Sequence, residues 1–145
     1  MGTPISPLPP AWVALPGPLR DAILRALDGF AGRRAEADAD SPAGVSGAPV
    51  VTLLGCDGDA TRVTVRALLS HMIWHAAQSG SDWFDHQFYV CTAVFAGGVL
   101  VSEAIVHHRL VNVSEYAEQT HYDRAAAVAQ VVSELRAVAG DAAAR

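Results

Sequence analysis

The sequence predicts an α+β domain: a mostly antiparallel, four-stranded sheet of two β-hairpins, with an N-terminal and a C-terminal helix packed on one of its faces. Two pairs of apolar, alternating runs are each joined by a turn dipeptide, Asp57-Gly58 in the first pair and Gly97-Gly98 in the second. A helical pattern of apolar residues precedes the hairpins, and another follows them. The chain of 145 residues is long enough to bury one hydrophobic core.

Composition and charge exclude several classes of protein. Hydrophobic residues make up 51% of the chain and charged residues 17%, so the body of the chain is expected to fold. The net charge of -5 and the absence of a basic stripe argue against nucleic acid as a partner. No apolar run approaches the length of a membrane span. Near the N-terminus, prolines stand where a signal peptide would have its basic and apolar regions. We therefore expect a cytoplasmic protein without a membrane partner.

The first helix is predicted between an irregular arm and a polar loop. Residues 1–18 contain six prolines, which favour an extended arm. Apolar side chains then recur at helical spacing from Leu19 to about Ala31. Residues 33–48 are polar and contain Gly, Pro and Ser, which predicts a flexible loop. The single domain is expected to span residues 19–140.

The last helix is predicted from about His121 to Ala139, where apolar residues again follow a helical spacing. Thr120 and Asp123 have the spacing of a capping box at its start. Residues 141–145 follow the helix and are expected to fray.

The segment from Ser70 to Gln78 has two interpretations, a continuing strand or a short helix. Ser70 as an N-cap, with a glycine just past the end of the segment, favours the helix. On a helix His71 and His75 share a face at the spacing of a metal-ligand pair, and His86 or Asp85 is the candidate third ligand. A metal-dependent enzyme using these three histidines is therefore one hypothesis. The favoured expectation is that no metal or cofactor is used.

The hairpin from His86 to Asn112 is the candidate functional centre. If Gly97 and Gly98 alone form the turn and each pair steps outward by one residue, His86 lies directly opposite Arg109. His107 is then diagonal to His86 on the same face. Glu103 shares that face about 13 Å from His107, too far for direct contact.

This arrangement predicts acid–base chemistry. Histidine titrates near neutral pH, so His86 or His107 is a candidate general base that Asp85 orients. Arg109 is the candidate for stabilising developing negative charge, and Glu103 is the further carboxylate of the set. The walls of a substrate pocket are predicted from four aromatic residues, Trp83, Phe88, Tyr89 and Trp74. The alternative is a structural network on the sheet rim, and a register error of one residue would divide the set between two faces.

The order of the elements resembles small antiparallel α+β folds that host cyclases, isomerases and dehydratases of natural-product pathways. With the histidines, the resemblance implies a cofactor-free tailoring enzyme, an isomerase, cyclase or lyase, acting on a mainly apolar small molecule or on a peptide. The alternative is a non-catalytic dimeric binding or accessory protein with the histidines at an interface. Both faces of the central hairpin are largely apolar, which predicts a homodimer.

Overall fold

The α+β class is confirmed, with four long antiparallel strands between helices at the two ends of the chain. The computed structural model of the chain describes residues 8–39, 44–75 and 82–144. Its elements are α1 (Pro10–Val13), α2 (Gly17–Asp38), β1 (Gly44–Ser46), β2 (Val50–Gly58), β3 (Arg62–His75), β4 (Trp83–Ala96), β5 (Val99–Val113), α3 (Tyr116–His121) and α4 (Arg124–Ala144).

The helices differ from their predicted bounds at several places, and the short α1 lies within the arm that was expected to be extended or irregular. Helix α2 continues to Asp38, so the first part of the predicted flexible loop is helical, while residues 40–43 of that loop lie outside the described residues. Arg34 and Asp38 form an i,i+4 ion pair with 3.1 Å between Nη2 and Oδ1, which supports this extension.

The predicted C-terminal helix begins at Arg124 instead of about His121, and the extended Tyr122 separates it from α3, which ends at His121. Asp123 caps α4, because its Oδ1 accepts the backbone N–H of Ala126 at 3.0 Å. Helix α4 continues through residues 141–144, where a frayed tail was expected.

Strand β3 is the centre of the sheet. β4 lies along one of its edges, β2 and the short β1 share the other, and β5 pairs with the outer edge of β4. Of the two interpretations of Ser70 to Gln78, the favoured helix was wrong and the continuing strand is correct, because Ser70 to His75 belong to β3. Residues 76–78 of this segment lie outside the described residues. β4 and β1 pair with this segment from both sides, and this pairing outweighs a local capping signal.

The two long helices cover opposite faces of the sheet, although packing on one face was predicted. Helix α2 packs against the face that includes Leu69 and Ala67, here called the α2 face. Helix α4 packs against the face that includes Leu68 and Phe88, here called the α4 face. Leu68 and Leu69 are both fully buried, and since neighbouring strand residues point to opposite sides, both sides need a cover.

The turn of the central hairpin is formed as predicted. Gly97 and Gly98 have φ angles of +57° and +79°, and Ala96 pairs with Val99. Such positive φ angles at both turn residues are typical of a type I′ turn, which glycine adopts without strain.

The register of β4 and β5 beyond the turn was predicted wrongly. The pairing shifts between Phe95 and Val94, and again between Tyr89 and Phe88, so that β5 carries two β-bulges. After the first bulge, the side chains of β5 point to the face opposite to the one predicted. After the second bulge they again point to the predicted face, but each residue pairs with a β4 residue two positions from its predicted partner. His86 therefore pairs with Val111 instead of Arg109.

Strand β5 is the exposed edge of the sheet. Most of its side chains are exposed, including Val99 and Val106 at 63% each. Within the described residues, no helix is both long enough and apolar enough to cross a membrane.

Candidate functional site

The two bulges divide the predicted acid–base set between the two faces of the sheet. Arg109 pairs with Phe88 on the α4 face, and its Nη2 donates to Glu134 Oε2 of α4 at 2.6 Å. Glu103 and His107 pair with Ala93 and Tyr89, which belong to the α2 face. His86 and Arg109 thus share a face as predicted, whereas His107 and Glu103 lie on the other.

His107 and Glu103 lie near the outer edge of the α2 face. Nε2 of His107 is 2.8 Å from Gln87 Oε1, and its ring meets the Tyr89 ring edge-on at 5.1 Å between centroids. Glu103 borders a depression of about 140 Å³ beside Arg33 and Arg34. Both side chains are exposed, which suits a surface contact better than a buried catalytic site.

Asp85 contacts a histidine other than the predicted one. Its Oδ2 lies 3.3 Å from His75 Nε2 without hydrogen-bond alignment, and its Oδ1 accepts Asn112 Nδ2 at 2.9 Å. Trp83 stacks on His75 with 3.9 Å between ring centroids. Trp74 is 42% exposed and packs against Phe84 at the same end of the sheet. These residues form an aromatic and polar end of the sheet.

A second histidine network joins α2 to the α2 face. Oδ2 of Asp38 accepts the Tyr89 hydroxyl at 2.6 Å and the Nε2–H of His71 at 2.8 Å. Burial lowers the pKa of His71 despite the carboxylate, and it raises the pKa of Tyr89 to about 12 together with Asp38. Nδ1 of His71 is buried without a partner in the described chain. The network is largely buried, with the Asp38 side chain 13% exposed, and it holds the end of α2 on the sheet.

The three histidines of the metal hypothesis do not converge. His71 and His75 are four residues apart on a strand, about 13 Å, and they contact different carboxylates. His86 contacts Tyr122 on the opposite face. Across the described ranges 8–39, 44–75 and 82–144, no three His, Cys, Asp or Glu side chains are placed to hold one metal ion.

A cavity of about 760 Å³ lies on the α4 face, between the sheet and the α3–α4 connection. Strands β2, β3 and β4 form its floor, and the start of α4 forms its roof. His71 borders it from β3, but its side chain points to the α2 face. The lining also includes Ala48, Val50, Thr52, Ser70, Met72, His86, Thr120, His121, Tyr122, Asp123, Arg124, Ala125 and Val128.

Three buried polar side chains cross the floor of the cavity in a diagonal row, one from each strand. Thr52 pairs with Leu68, two residues before Ser70, and Ser70 in turn pairs with Phe88, two residues after His86. Such diagonal neighbours lie about 7–8 Å apart on one face. Thr52 and Ser70 are each 1% exposed and border the cavity. A hydroxyl at such a position can donate a hydrogen bond to a polar group of a ligand or accept one from it.

His86 and Tyr122 form a short polar contact at the cavity, with 2.6 Å between Nδ1 and the phenol oxygen. Burial lowers the pKa of His86 to about 4, and the charges of Arg124 and His71 act in the same direction. Burial also raises the pKa of Tyr122. Both groups are therefore neutral at pH 7, and donation by Tyr122 to Nδ1 leaves the remaining imidazole proton on Nε2.

Among the predicted site residues, His86 borders this cavity, and Phe88 supports it with 4.2 Å between the two ring centroids. Thr52, Ser70 and Tyr122 were not selected from the sequence. A signal for the first two was present, because Thr52 is a lone polar residue in a run of apolar strand residues and Ser70 begins a polar pair, Ser70-His71, in another. Comparison with known proteins gave no match to any family model, curated protein or solved structure.

Proposed function

We propose that this chain binds a small, mainly apolar molecule in the α4-face cavity and recognises its polar group through the row of Thr52, Ser70 and His86. The observation that carries the proposal is the row itself: three buried polar side chains side by side on the floor of a cavity of ligand size. Ligand sites in proteins typically measure about 300–1,000 Å³ and combine apolar walls with a few placed polar groups.

The chemistry of the lining defines the class of ligand. Val50, Met72 and Val128 supply apolar surface for the body of the molecule. Nε2–H of a neutral His86 and the two hydroxyls are donors suited to a carbonyl oxygen or a carboxylate. Arg124 adds positive charge at the start of α4, although the Asp123 carboxylate beside it partly offsets that charge. An aromatic or aliphatic ketone or carboxylic acid fits this combination.

A proton-transfer enzyme of the isomerase, cyclase or lyase class is the second candidate. The observation that favours it is the 2.6 Å contact of His86 with Tyr122, which couples an imidazole and a phenol beside the cavity. A histidine with a pKa near 4 is a weak base at neutral pH, so hydrogen bonding suits His86 better than proton abstraction. Ligand binding is therefore the first candidate function.

The Val128→Trp variant tests the cavity, because the larger side chain fills the space beneath α4. We expect 2-acetylnaphthalene and 2-naphthoate, a matched ketone and carboxylate, to shift the amide NMR signals around Ser70 and Thr52 of the wild-type protein. Val128→Trp should abolish these shifts. Val138→Trp is the matched control, because Val138 is 67% exposed on the same helix, and it should bind both probes like the wild type.

The Ser70→Ala variant tests the polar row. Loss of one hydrogen bond should weaken binding of the better probe by about 3- to 10-fold, corresponding to about 0.5–1.5 kcal/mol. If neither probe binds at millimolar concentration, or if the shifted signals map to β5, the cavity is not a ligand site.

The two candidate functions differ in one measurement on the ketone probe. An enzyme that moves protons through His86 removes a proton from the methyl group beside the carbonyl and, in D₂O, returns deuterium to the same carbon. We expect no faster deuterium incorporation into 2-acetylnaphthalene with the wild-type protein than in buffer. Incorporation that is accelerated by the wild type and lost in His86→Gln would make the proton-transfer enzyme the first candidate.

A further inference from the structure

We propose that β5 pairs antiparallel with β5 of a second copy of this chain, with Ile105 on the twofold axis. This interface is independent of the cavity and of the function proposed for it. It would join two sheets into one continuous sheet, with both α2 helices on one side and both α4 helices on the other.

The edge of β5 lacks several of the usual protections against pairing. The strand is 15 residues long and pairs on one side only, with β4, among the described residues. It contains no proline and no lysine, which commonly block edge strands, and its two bulges leave residues 102–107 between them regular. Its exposed large apolar side chains are Val99, Leu100, Val101, Val106 and Leu110. A long and largely apolar edge of this kind favours addition of another strand.

The position of the axis follows from charge complementarity. A twofold axis perpendicular to the sheet brings together residues of the same face, at equal distances before and after the axis. With Ile105 on the axis, Glu103 lies opposite His107 of the second copy, and both belong to the α2 face. The symmetric contact repeats this acid–imidazole pair, so that the interface contains it twice.

Apolar residues match in the same register. Leu100 and Leu110 pair with Phe95 and Gln87 of β4, which places both leucines on the α2 face, and they lie opposite each other across the axis. An axis at Ala104 places Glu103 opposite Ile105. An axis at Val106 sets Glu103 against Arg109, which is on the other face. The Ile105 axis therefore satisfies the charged and the apolar residues together.

The first test is the mass in solution. The wild-type protein should elute with twice the 15.2 kDa mass of the chain in light scattering at about 100 μM. Val106→Arg places two like charges near the axis and should give a monomer. Val138→Arg is the matched control, since Val138 is a similarly exposed valine on α4, and it should remain a dimer. A monomeric wild type, or a dimeric Val106→Arg, overturns the proposal.

The second test fixes the register and does not depend on the first variant folding. Residues paired with themselves on an antiparallel axis have Cα atoms about 4.5–5.5 Å apart, which a disulfide can bridge. Ile105→Cys should therefore form a covalent dimer on mild oxidation. Val99→Cys should not, because its two copies would be about 40 Å apart. Equal cross-linking of both variants, or of neither, contradicts an axis at Ile105.

Discussion

Replacing Asp38 by Ala is expected to lower the free energy of unfolding by about 2–4 kcal/mol, because it leaves buried donors without an acceptor. The carboxylate accepts the Tyr89 hydroxyl at 2.6 Å and His71 Nε2 at 2.8 Å, and Arg34 Nη2 lies 3.1 Å from its other oxygen. Asp38 is also the last residue of α2, where the helix dipole disfavours a negative charge. The three donors outweigh that repulsion, and urea unfolding measures the difference.

Glu36→Ala is the matched control for this prediction, since Glu36 is an exposed carboxylate on the same turn of α2. Its effect should stay within about 0.5 kcal/mol, as for most surface substitutions. Hydrogen exchange should show faster opening of the last turns of α2 in Asp38→Ala than in Glu36→Ala. A loss below 1 kcal/mol for Asp38→Ala would mean that water replaces the carboxylate, and the network would not be what holds α2 in place.

Acidification is expected to destabilise the fold through His86 by about 3 kcal/mol at most. Burial lowers the pKa of His86 to about 4, while the imidazole of an unfolded chain titrates near 6.5. Between these values the unfolded chain binds more protons than the folded one, so stability rises with pH. The contribution is complete above about pH 6.5 and is lost as the pH falls toward 4.

His86→Gln separates this contribution from other acid effects, because Gln keeps an acceptor for Tyr122 but does not titrate. Between about pH 4 and 6.5, the free energy of unfolding should rise less steeply with pH in His86→Gln than in the wild type. The difference in slope should correspond to about one bound proton. His108→Gln, at an exposed position on β5, should keep the wild-type slope. Identical slopes for His86→Gln and the wild type would show that His86 is protonated in the folded state without cost, contrary to its buried position.

Features that depend on local chemistry were predicted from the sequence. The Gly97-Gly98 turn follows from two adjacent residues that adopt positive φ, and the α+β class follows from the spacing of apolar residues. The strand character of Ser70 to His75 was not predictable in this way. It depends on strands that come from distant parts of the sequence and flank the segment on both sides.

The candidate site was predicted only in part for the same reason. His86 was selected because it titrates near neutral pH, and it borders the cavity. Its partner Tyr122 is 36 residues away and reaches it only because α3 and α4 fold back over the sheet. His107 was placed on the same face by assuming a regular ladder, and the position of a bulge depends on tertiary packing that no short pattern records.

The two bulges of β5 determine to which face of the sheet each of its side chains points. Because side chains alternate with a period of two, one extra residue inverts the strand and a second extra residue restores it. Compared with a strand without bulges, both ends of β5 therefore direct their side chains to the same faces. Residues 102–107 direct theirs to the opposite faces. Val101 and His108 have no partner on β4, so deleting either residue would remove a bulge and leave every other pair, and its face, as it is. The faces that display Glu103 and His107 are therefore set by their partners on β4 and not by their distance in sequence from the turn.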